Sequence, residues 1–350
     1  MKVGVPKRHG EVRWRWDSPG LVAAARRGWH QLAGAPWAGL RVRAREELGL
    51  PLDRPVVASG HQPVFLHPGI LIRELLLAGL PAEVTPVWVS VDTDAPRAVG
   101  FPVPLRRRHY THHFLSLVDN PQGMMLADIP APSPDVLGRA AERMGRRLGT
   151  LRNVELSVLA RRAWERLPPP GGKWAGWWER AEVQLGAPGG LRRLSARSLA
   201  DTAAFAEFTA WLLAGETGFL DAYQQAARSV GVRPLRTGEL PFWTLAGGQR
   251  RPARPGDAPL LPRALTLTLF VRALVCDFFL HGAGGASYEP GVDQLMLALG
   301  GQPPPWGWLT GTFLLPEPSA AQRLAGRIYP FFLYDLAEVG AGLAGPLAAL

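Results

Sequence analysis

Two histidines flank a short segment that joins a predicted strand to a predicted helix, in the stretch SGHQPVFLHPG at residues 59–69. A helix N-terminus attracts anions because its unpaired backbone amides and the helix dipole both favour negative charge. We therefore expect His61 and His67 to bind a phosphate or carboxylate and to stabilise charge that develops on it. The competing interpretation is that His61 caps a turn and His67 is a surface residue. The same junction supplies three further ligand-binding candidates, Gly60, Gln62 and Gly69.

A pair of carboxylates, Asp92 and Asp94, follows the next predicted strand, VTPVWVSV at residues 84–91. Two carboxylates at a strand end can hold Mg²⁺, bind a ribose or an amine, or act as a general base. If the strand continues through them, they share one face of the sheet. An ordinary Asx-turn that ends the strand is the alternative. We take both residues as catalytic candidates.

A glycine-rich turn, HGAGG, places His281 directly before Gly282, Gly284 and Gly285, between a predicted strand and a predicted helix. Glycines allow backbone amides to approach a phosphate closely, so the turn is a candidate cradle for an anion or a nucleotide. The full dinucleotide-binding spacing is missing, and a tight turn is the competing explanation. We take His281 as a catalytic acid or base and the three glycines, with Tyr288, as ligand-binding residues.

The segments that hold the first two groups follow a strand, helix, strand order. RPVVASG (54–60) is a β-branched run, PGILIRELLLAGL (68–80) has apolar helical spacing after a proline, and VTPVWVS (84–90) is again β-branched. Strands joined by such a crossover are parallel neighbours in a sheet. Ligands bind beyond the carboxyl ends of parallel strands, so we expect the three polar groups to converge at one edge of the sheet.

The pattern as a whole predicts an α/β fold, a Rossmann-like parallel sheet core with a helical insertion. Residues 1–120 are predicted to form the first half of the core and residues 121–232 the helical insertion. Residues 233–350 would complete the core and end in a helix. The insertion opens with Ser133 as N-cap and Pro134 at the first helical position. Its tryptophans Trp174, Trp177 and Trp178 are expected to pack within it.

Three segments of the second half, ELPFWTL, DFFL and WLTGTFLLP, are predicted strands. PRALTLTLFVRALVC (262–276) is a predicted helix, although its alternation of Leu and Thr also fits a strand. GGQRRPARPGDAP (247–259) is predicted to be a basic, mobile loop. We expect a final helix from Ala320 onward.

The net charge of +10, from 39 basic and 29 acidic residues, invites a nucleic-acid partner. Arg139, Arg143, Arg146 and Arg147 repeat at helical spacing and could contact an acidic partner, but a solvated helix face is the favoured interpretation. Nearly all of the basic residues are arginines, because Lys2, Lys7 and Lys173 are the only lysines. None of these lysines lies in a glycine-rich phosphate loop, which excludes a Walker-type nucleotide site.

The remaining titratable residues give weaker signals. The single cysteine, Cys276, lies in the apolar sequence LVCDFF and is expected to be an inert buried thiol. His109, His112 and His113 beside the arginines 106–108 suggest either a metal site or a phosphate-binding edge, and a solvated basic loop is the default. We assign no metal ligand. The N-terminus lacks a signal peptide and the apolar stretch 264–280 is too short to span a bilayer, so we expect a soluble cytoplasmic protein with no membrane contact.

The first two motifs resemble those of a known family. SGHQPVFLHPGILIRELLLA resembles the opening motif of the bacillithiol biosynthesis cysteine-adding enzyme family, with Gly60, Gln62 and Pro68 in matching positions. VTPVWVSVDTDA resembles that family's next strand, and Asp92 and Asp94 match two of its acids.

The late segment at residues 262–295 resembles the same family's arginine-containing helix, glycine-rich turn and following helix. Gly284, Gly285 and Tyr288 stand in comparable places. The resemblance covers about the first 120 and the last 110 residues of the 350. It implies a Rossmann core similar to those of nucleotidyl-transferring synthetases.

The chain differs from this family at several positions. Thr93 stands where the family has a histidine, Val91 where it has a further acid, and His61 and His67 where it usually has other residues. The chain also ends soon after its last predicted strand and leaves no room for the family's long coiled-coil domain. We therefore expect a shortened, divergent relative, and the resemblance implies the same core without implying the same substrate.

The sequence favours an enzyme of the ligase or nucleotidyl-transferase kind, which joins an amine or a thiol to an activated carboxylate or handles a nucleotide phosphate. Its substrate would be a small molecule. The residues do not identify a cofactor; ATP or ADP, and a divalent metal ion, are the candidates. Two alternatives stay open: a basic protein associated with nucleic acid, which is the less favoured partner, and a non-catalytic relative that binds a metabolite.

Overall fold

The computed structural model of the chain describes residues 6 and 8 and the ranges 10–16, 20–64, 68–106, 110–119, 121–149, 161–214 and 218–312. Within these ranges the strands are β1 (Val12–Arg15), β2 (Val56–His61), β3 (Thr85–Ser90), β4 (Ala98–Arg106), β5 (Tyr110–Asp119), β6 (Arg192–Ser195), β7 (Phe242–Ala246), β8 (Gln249–Pro252), β9 (Leu261–Pro262), β10 (Phe278–His281) and β11 (Trp306–Gly311).

The helices in the same ranges are α1 (Leu21–Leu32), α2 (Ala38–Glu47), α3 (Pro68–Ala78), α4 (Pro134–Leu148), α5 (Trp174–Gln184), α6 (Ala196–Ala200), α7 (Ala203–Leu213), α8 (Phe219–Ser229), α9 (Ala264–Phe270) and α10 (Glu289–Ala298). A π-helical turn, Val271–Val275, continues α9, and a 3-10 turn, Gly285–Ser287, precedes α10. None of the helices in these ranges has both the length and the apolar character needed to cross a membrane.

The central sheet has the strand order β1-β11-β10-β2-β3-β6 within the described ranges. Its strands from β11 to β6 are parallel, and β1 alone pairs antiparallel, with β11. From β2 the chain moves outward through β3 to β6, and it then returns to the other side of β2 with β10 and β11. This is a Rossmann-like arrangement, which confirms the predicted α/β fold class.

The β2–α3–β3 unit forms as its sequence predicts. β2 and β3 pair in parallel from Val56 opposite Thr85 to His61 opposite Ser90. Gly60 is required by this close pairing, because a Cβ atom at that position would lie 2.3 Å from the carbonyl oxygen of Val89. The glycine that ends the predicted strand is therefore a packing requirement.

Helices cover both faces of the sheet, and alternate strand residues face different cores. Val57 packs in an apolar cluster with residues of α1, α3, α4 and α5. Val56 and Ala58 pack in a second cluster with residues of α2 and of helices α6 to α10. Strands buried on both faces are expected in parallel sheets, which explains the continuous apolar character of RPVVASG.

The predicted helical insertion, residues 121–232, differs from the structure in one important respect. It contains β6, which pairs in parallel with β3 and belongs to the central sheet. Of the four residues of β6, Leu194 alone is buried, so the segment has no apolar pattern typical of a buried strand. The helices around it form as predicted: the Ser133 side chain caps α4 by accepting from Val136 N at 3.3 Å, and Trp174, Trp177 and Trp178 are buried.

Two smaller sheets lie beside the central one in the described ranges. β4 and β5 form an antiparallel hairpin, and β8, β7 and β9 form a three-stranded antiparallel sheet. The predicted basic loop is wrong at its centre, since residues 249–252 are β8 and pair with β7. The ambiguous segment after Pro262 is helical, as α9 and its π-helical turn. The predicted C-terminal helix lies outside the described ranges.

Candidate functional site where the strand order reverses

The carboxyl ends of β2 and β10 lie side by side, at the point where the order of the parallel strands reverses. Ser59 is opposite Leu280 in the sheet, and its hydroxyl donates to the Leu280 carbonyl oxygen at 2.6 Å. The residues that follow, Gly60 to Gln62 on one strand and His281 to Gly282 on the other, are therefore neighbours. This crevice between β2 and β10 is the place where open α/β sheets bind their ligands.

The turn after β2 holds two of the predicted residues in half-buried positions. The Nδ1 atom of His61 lies 3.1 Å from the carbonyl oxygen of Gln62. Trp174 of α5 donates its indole N–H to the carbonyl oxygen of Pro63 at 2.6 Å, which fixes the turn against the helical layer. His67 lies outside the described residues.

Arg73 of α3 lies beneath this turn and was not among the residues that the sequence singled out. Its Nη1 atom donates to Ser59 Oγ and to the Gly60 carbonyl oxygen, each at 2.9 Å, and its Nε atom donates to the carbonyl oxygen of Gly69 at 3.3 Å. The residue is 2% exposed. Burial lowers the pKa of the guanidinium to about 10, which leaves it protonated at neutral pH. An arginine within the apolar helix ILIRELLLA was the sequence signal for it.

A second network joins the ends of β2 and β3. Gln62 Nε2 donates to Asp94 Oδ2 at 2.8 Å, and Arg250 Nη1 donates to Asp94 Oδ1 at 3.0 Å and to the Thr93 carbonyl oxygen at 2.9 Å. The Arg250 guanidinium lies over the ring of Trp243, 4.3 Å from its centroid. The small β7–β9 sheet thereby supports Asp94 through β8.

Asp92 has different surroundings from Asp94. β3 ends at Ser90, and the buried Asp92 carboxylate accepts from the backbone N–H of Arg197 at 2.9 Å, at the start of α6. Burial raises the pKa of Asp92 to about 6, despite the lowering effect of that hydrogen bond. Asp92 and Asp94 thus bind different partners, the backbone of α6 and the side chains of Gln62 and Arg250. In the part of the chain that the structure describes, no cluster of three or more His, Cys, Asp or Glu residues could hold a metal ion.

His281 belongs to a buried chain of charged groups behind the crevice. Its Nε2 atom lies 2.5 Å from Glu289 Oε1, and the other oxygen of Glu289 accepts from Arg272. Arg272 also pairs with Asp293 at 2.8 Å, and Asp293 accepts from the Trp306 indole at 3.0 Å. Burial raises the pKa of Glu289, but the charges of Arg272 and His281 outweigh that effect and leave the pKa below its ordinary value. Glu289 is therefore an anion in the folded protein, and its carboxylate faces the imidazole of His281.

The glycine turn fits closely around this imidazole. A Cβ atom at Gly285 would lie 2.1 Å from His281 Nδ1, so only glycine allows the ring to pack here. Gly284 has open space around it. Tyr288 packs against the apolar cluster on the α10 side of the sheet. Gly285 is thus required by the close approach of the His281 ring, whereas a Cβ atom at Gly282 would make only van der Waals contact with Arg73 and nothing constrains Gly284.

The other sequence candidates lie away from the crevice or outside the description. Arg139, Arg143 and Arg146 are exposed on α4. In β8, Arg251 pairs with Asp257 at 2.7 Å, which with the Arg250–Asp94 pair neutralises much of the basic segment. Cys276 is buried and burial raises its pKa to about 12, in agreement with an inert thiol. His109 and the side chains of His112 and His113 lie outside the described residues.

Comparisons with known proteins add little to this geometry. No protein-family model matches the chain, and no curated protein matches it. Among solved structures it is similar to a tyrosyl-tRNA synthetase from Archaeoglobus fulgidus complexed with L-tyrosine, with a TM-score of 0.32 and 10% sequence identity, over 85% of this chain and 69% of that chain. A likeness this weak indicates no ligand and no reaction, so the fold class rests on the strand order itself.

Proposed function

We propose that the chain is an enzyme of the ligase or nucleotidyl-transferase kind, which binds a phosphate- or carboxylate-bearing small molecule beyond the carboxyl ends of β2, β3 and β10. The observation that supports this proposal is the reversal of strand order between β2 and β10. It brings the Gly60–Gln62 turn and the His281–Gly282 turn together, although 221 residues separate the hydrogen-bonded Ser59 and Leu280. Ligand sites of open α/β sheets lie at such positions.

The residues of the crevice suit the transfer of an acyl or phosphoryl group. His281, oriented by Glu289, is placed to stabilise negative charge or to exchange a proton. Asp94 and Gln62 offer an acceptor and a donor at the β2–β3 side, which suits an amine or a ribose hydroxyl. ATP is the co-substrate such a reaction would use. Asp92 is assigned a supporting role, because its carboxylate accepts from the backbone of α6.

The resemblance to the cysteine-adding enzymes of bacillithiol synthesis narrows the substrate class that we propose. In that case the enzyme would join the amino acid cysteine, or another small thiol-bearing amino acid, to an acceptor amine in the cytoplasm. Of the matching positions, Gly60 and Gln62 border the crevice, and Asp94 accepts from Gln62 at the neighbouring β2–β3 side. We therefore propose cysteine and ATP as the first substrates to test.

A two-stage experiment tests the proposed function. First, the melting temperature is measured with ATP, ADP, AMP, each amino acid and Mg²⁺, since a ligand that binds only the folded state must raise its stability. Second, ATP breakdown to AMP or ADP is followed with any amino acid that stabilises the protein. We expect His281→Asn to abolish turnover, and His30→Asn, at an exposed position on α1, to leave it unchanged.

The outcomes separate the proposal from its alternatives. Stabilisation by nucleotide or amino acid without turnover would identify a metabolite-binding protein instead of an enzyme. Steeply salt-dependent binding to any DNA or RNA, lost when Arg139, Arg143 and Arg146 are replaced by glutamine, would favour the nucleic-acid alternative. Absence of stabilisation by all of the small molecules would contradict the ligand site itself.

A further inference from the structure

Arg73 is a buried cation that forms no ion pair with a carboxylate among the described residues, and the charge of the adjacent Glu74 offsets only part of the cost of its burial. Its three acceptors are neutral, namely a hydroxyl and two backbone carbonyl oxygens. The neighbouring carboxylate on α3, Glu74, contacts Arg193 of β6 at 3.4 Å instead. A buried ion without a partner of opposite charge is strongly disfavoured, so a bound counter-ion would stabilise such a residue.

The unused part of the guanidinium faces the crevice. Nε and Nη1 donate to the acceptors named above, whereas Nη2 donates to none of the described residues. A Cβ atom at Gly282 would lie 3.4 Å from Nη2 and 3.5 Å from Cζ. Nη2 therefore points toward the first residue after β10, at the reversal of strand order. Because Gly282 has no side chain, this residue does not cover Nη2.

The other charges around the crevice already have partners. Glu289 lies between His281 and Arg272, and Asp94 accepts from Arg250. The indole of Trp88 covers the guanidinium of Arg73 from below, 5.5 Å from the ring centroid. The adjacent Glu74 contacts Arg193 with one oxygen and is buried without a hydrogen bond at the other, whereas Arg73 Nη2 is a donor that faces the crevice with no partner among the described residues.

We propose that Arg73 binds an oxyanion of the ligand, a phosphate or a carboxylate, through Nη2 in the space beside Gly282. This inference deepens the proposed function, on which it rests, because it names the group of the substrate that enters the crevice first. The guanidinium is held by hydrogen bonds from Nε and Nη1, so it is preorganised and loses little side-chain freedom when the anion binds.

Binding of inorganic phosphate and of acetate, each measured by melting temperature at constant ionic strength, tests this role. We expect one of the two anions to stabilise the wild-type protein saturably and thereby to identify the chemical class of the ligand. Arg73→Met should weaken that binding about 10- to 100-fold, the effect of losing a hydrogen bond to a charged group. Arg139→Met, an equal loss of charge on the exposed face of α4, should leave it unchanged.

Two glycine substitutions test the anion site beside Arg73 even if Arg73→Met does not fold. Gly282→Ala keeps the arginine but places a methyl group 3.4 Å from Nη2, in the space assigned to the anion. Gly138→Ala makes the same change on the exposed face of α4, where nothing lies within 4 Å. We expect weaker anion binding in the first variant only. Equal anion binding in both would overturn the inference, as would a wild-type protein that neither anion stabilises.

The results distinguish a wrong assignment of Arg73 from a wrong proposed function. If nucleotides or amino acids bind and react but Arg73→Met and Gly282→Ala bind anions as the wild type does, the assignment of Arg73 is wrong and the enzyme proposal stands. If anion binding depends on Arg73 but no substrate is turned over, the anion site stands and the proposed reaction is wrong.

Discussion

Buried arginines lie at both ends of the parallel sheet, and their surroundings differ. At the amino end, Arg41 and Arg45 of α2 both pair with the buried Asp277, which also accepts from the backbone N–H of Val56 at 2.7 Å. At the carboxyl end, Arg73 donates to neutral oxygens and has no paired carboxylate among the described residues.

At the amino end of the sheet, Arg41 and Arg45 also donate to backbone acceptors around Asp277. Arg41 donates to the carbonyl oxygens of Ala273 and Cys276 at 3.0 and 3.1 Å, and Arg45 donates to that of Val275 at 3.1 Å. These carbonyl groups end the π-helical turn, so the negative end of a helix supplements the single carboxylate. The hydrogen bonds of this amino-end group, Arg41, Arg45 and Asp277, are made internally, and one carboxylate is shared by two guanidinium groups, which is typical of structural ion-pair networks. At the carboxyl end, Arg73 Nη2 donates to none of the described residues, which is expected of a group that binds a ligand.

The largest difference between the two ends should appear when Asp277 is replaced. Asp277→Asn leaves two buried guanidinium groups without a counter-charge, and we expect a loss of about 5 kcal/mol in the free energy of unfolding, the upper end for a broken buried ion pair. Urea denaturation measures it. Asp257→Asn, which removes the partly exposed partner of Arg251, should cost far less, because exposed ion pairs are screened by solvent. Similar losses in both variants would contradict the structural role of the amino-end group.

Glu289→Gln should have the next largest effect, about 3 kcal/mol, since Asp293 still pairs with Arg272 in its absence. The pKa of Glu289 is below its ordinary value of 4.5 in the folded protein, so its contribution to stability is present above that value and is lost as the pH falls through the folded pKa. The difference between wild type and variant should therefore shrink as the pH falls below 4.5. A constant difference across the acid range would show that the charge of Glu289 is not responsible.

Asp92→Asn should have the smallest effect of these three substitutions on the free energy of unfolding. It should stabilise the protein, whereas the other two destabilise it. The pKa of Asp92 is raised from 3.8 to about 6 in the folded protein, so its contribution to stability is fully present below about pH 4 and is lost as the pH rises through 6. Above pH 6 the wild type must fold with an ionised buried carboxylate. We expect the variant to gain about 1 to 2 kcal/mol at neutral pH and nothing at pH 4. Urea denaturation at the two pH values measures this, and a destabilised variant at neutral pH would contradict it.

The sequence predicts those elements whose residues show their role locally. The run Val56–Val57–Ala58, the apolar helix after Pro68 and the β-branched strand before Asp92 each match one pattern, and crossover geometry then dictates that the two strands are parallel. The same reasoning places Gln62, Asp94, His281 and Gly282 at one edge. Their convergence follows from strand direction, which the sequence pattern supplies.

What the sequence does not predict depends on partners far along the chain. β6 is a strand because β3 offers it an edge, and its own residues Arg192 and Arg193 have no strand pattern. β1, with the sequence VRWR, pairs with β11 for the same reason. Arg73 is overlooked because its neighbours in sequence are apolar and predict only a buried helix. The position of its side chain beside Gly282 depends on a strand more than 200 residues later.

The insertion of β10 between β2 and β11 also affects how the chain must fold during synthesis. One edge of β2 stays unpaired until residues 278–280 have left the ribosome, because these are its partners on that side. Until then, the first half of the core exposes an unpaired apolar strand edge, a surface that promotes strand pairing between different chains. The proposed ligand site between β2 and β10 is consequently assembled only after most of the chain has been made. Because such long-range pairing is intrinsically slow, we expect the yield at high expression to rise when chaperones are supplied.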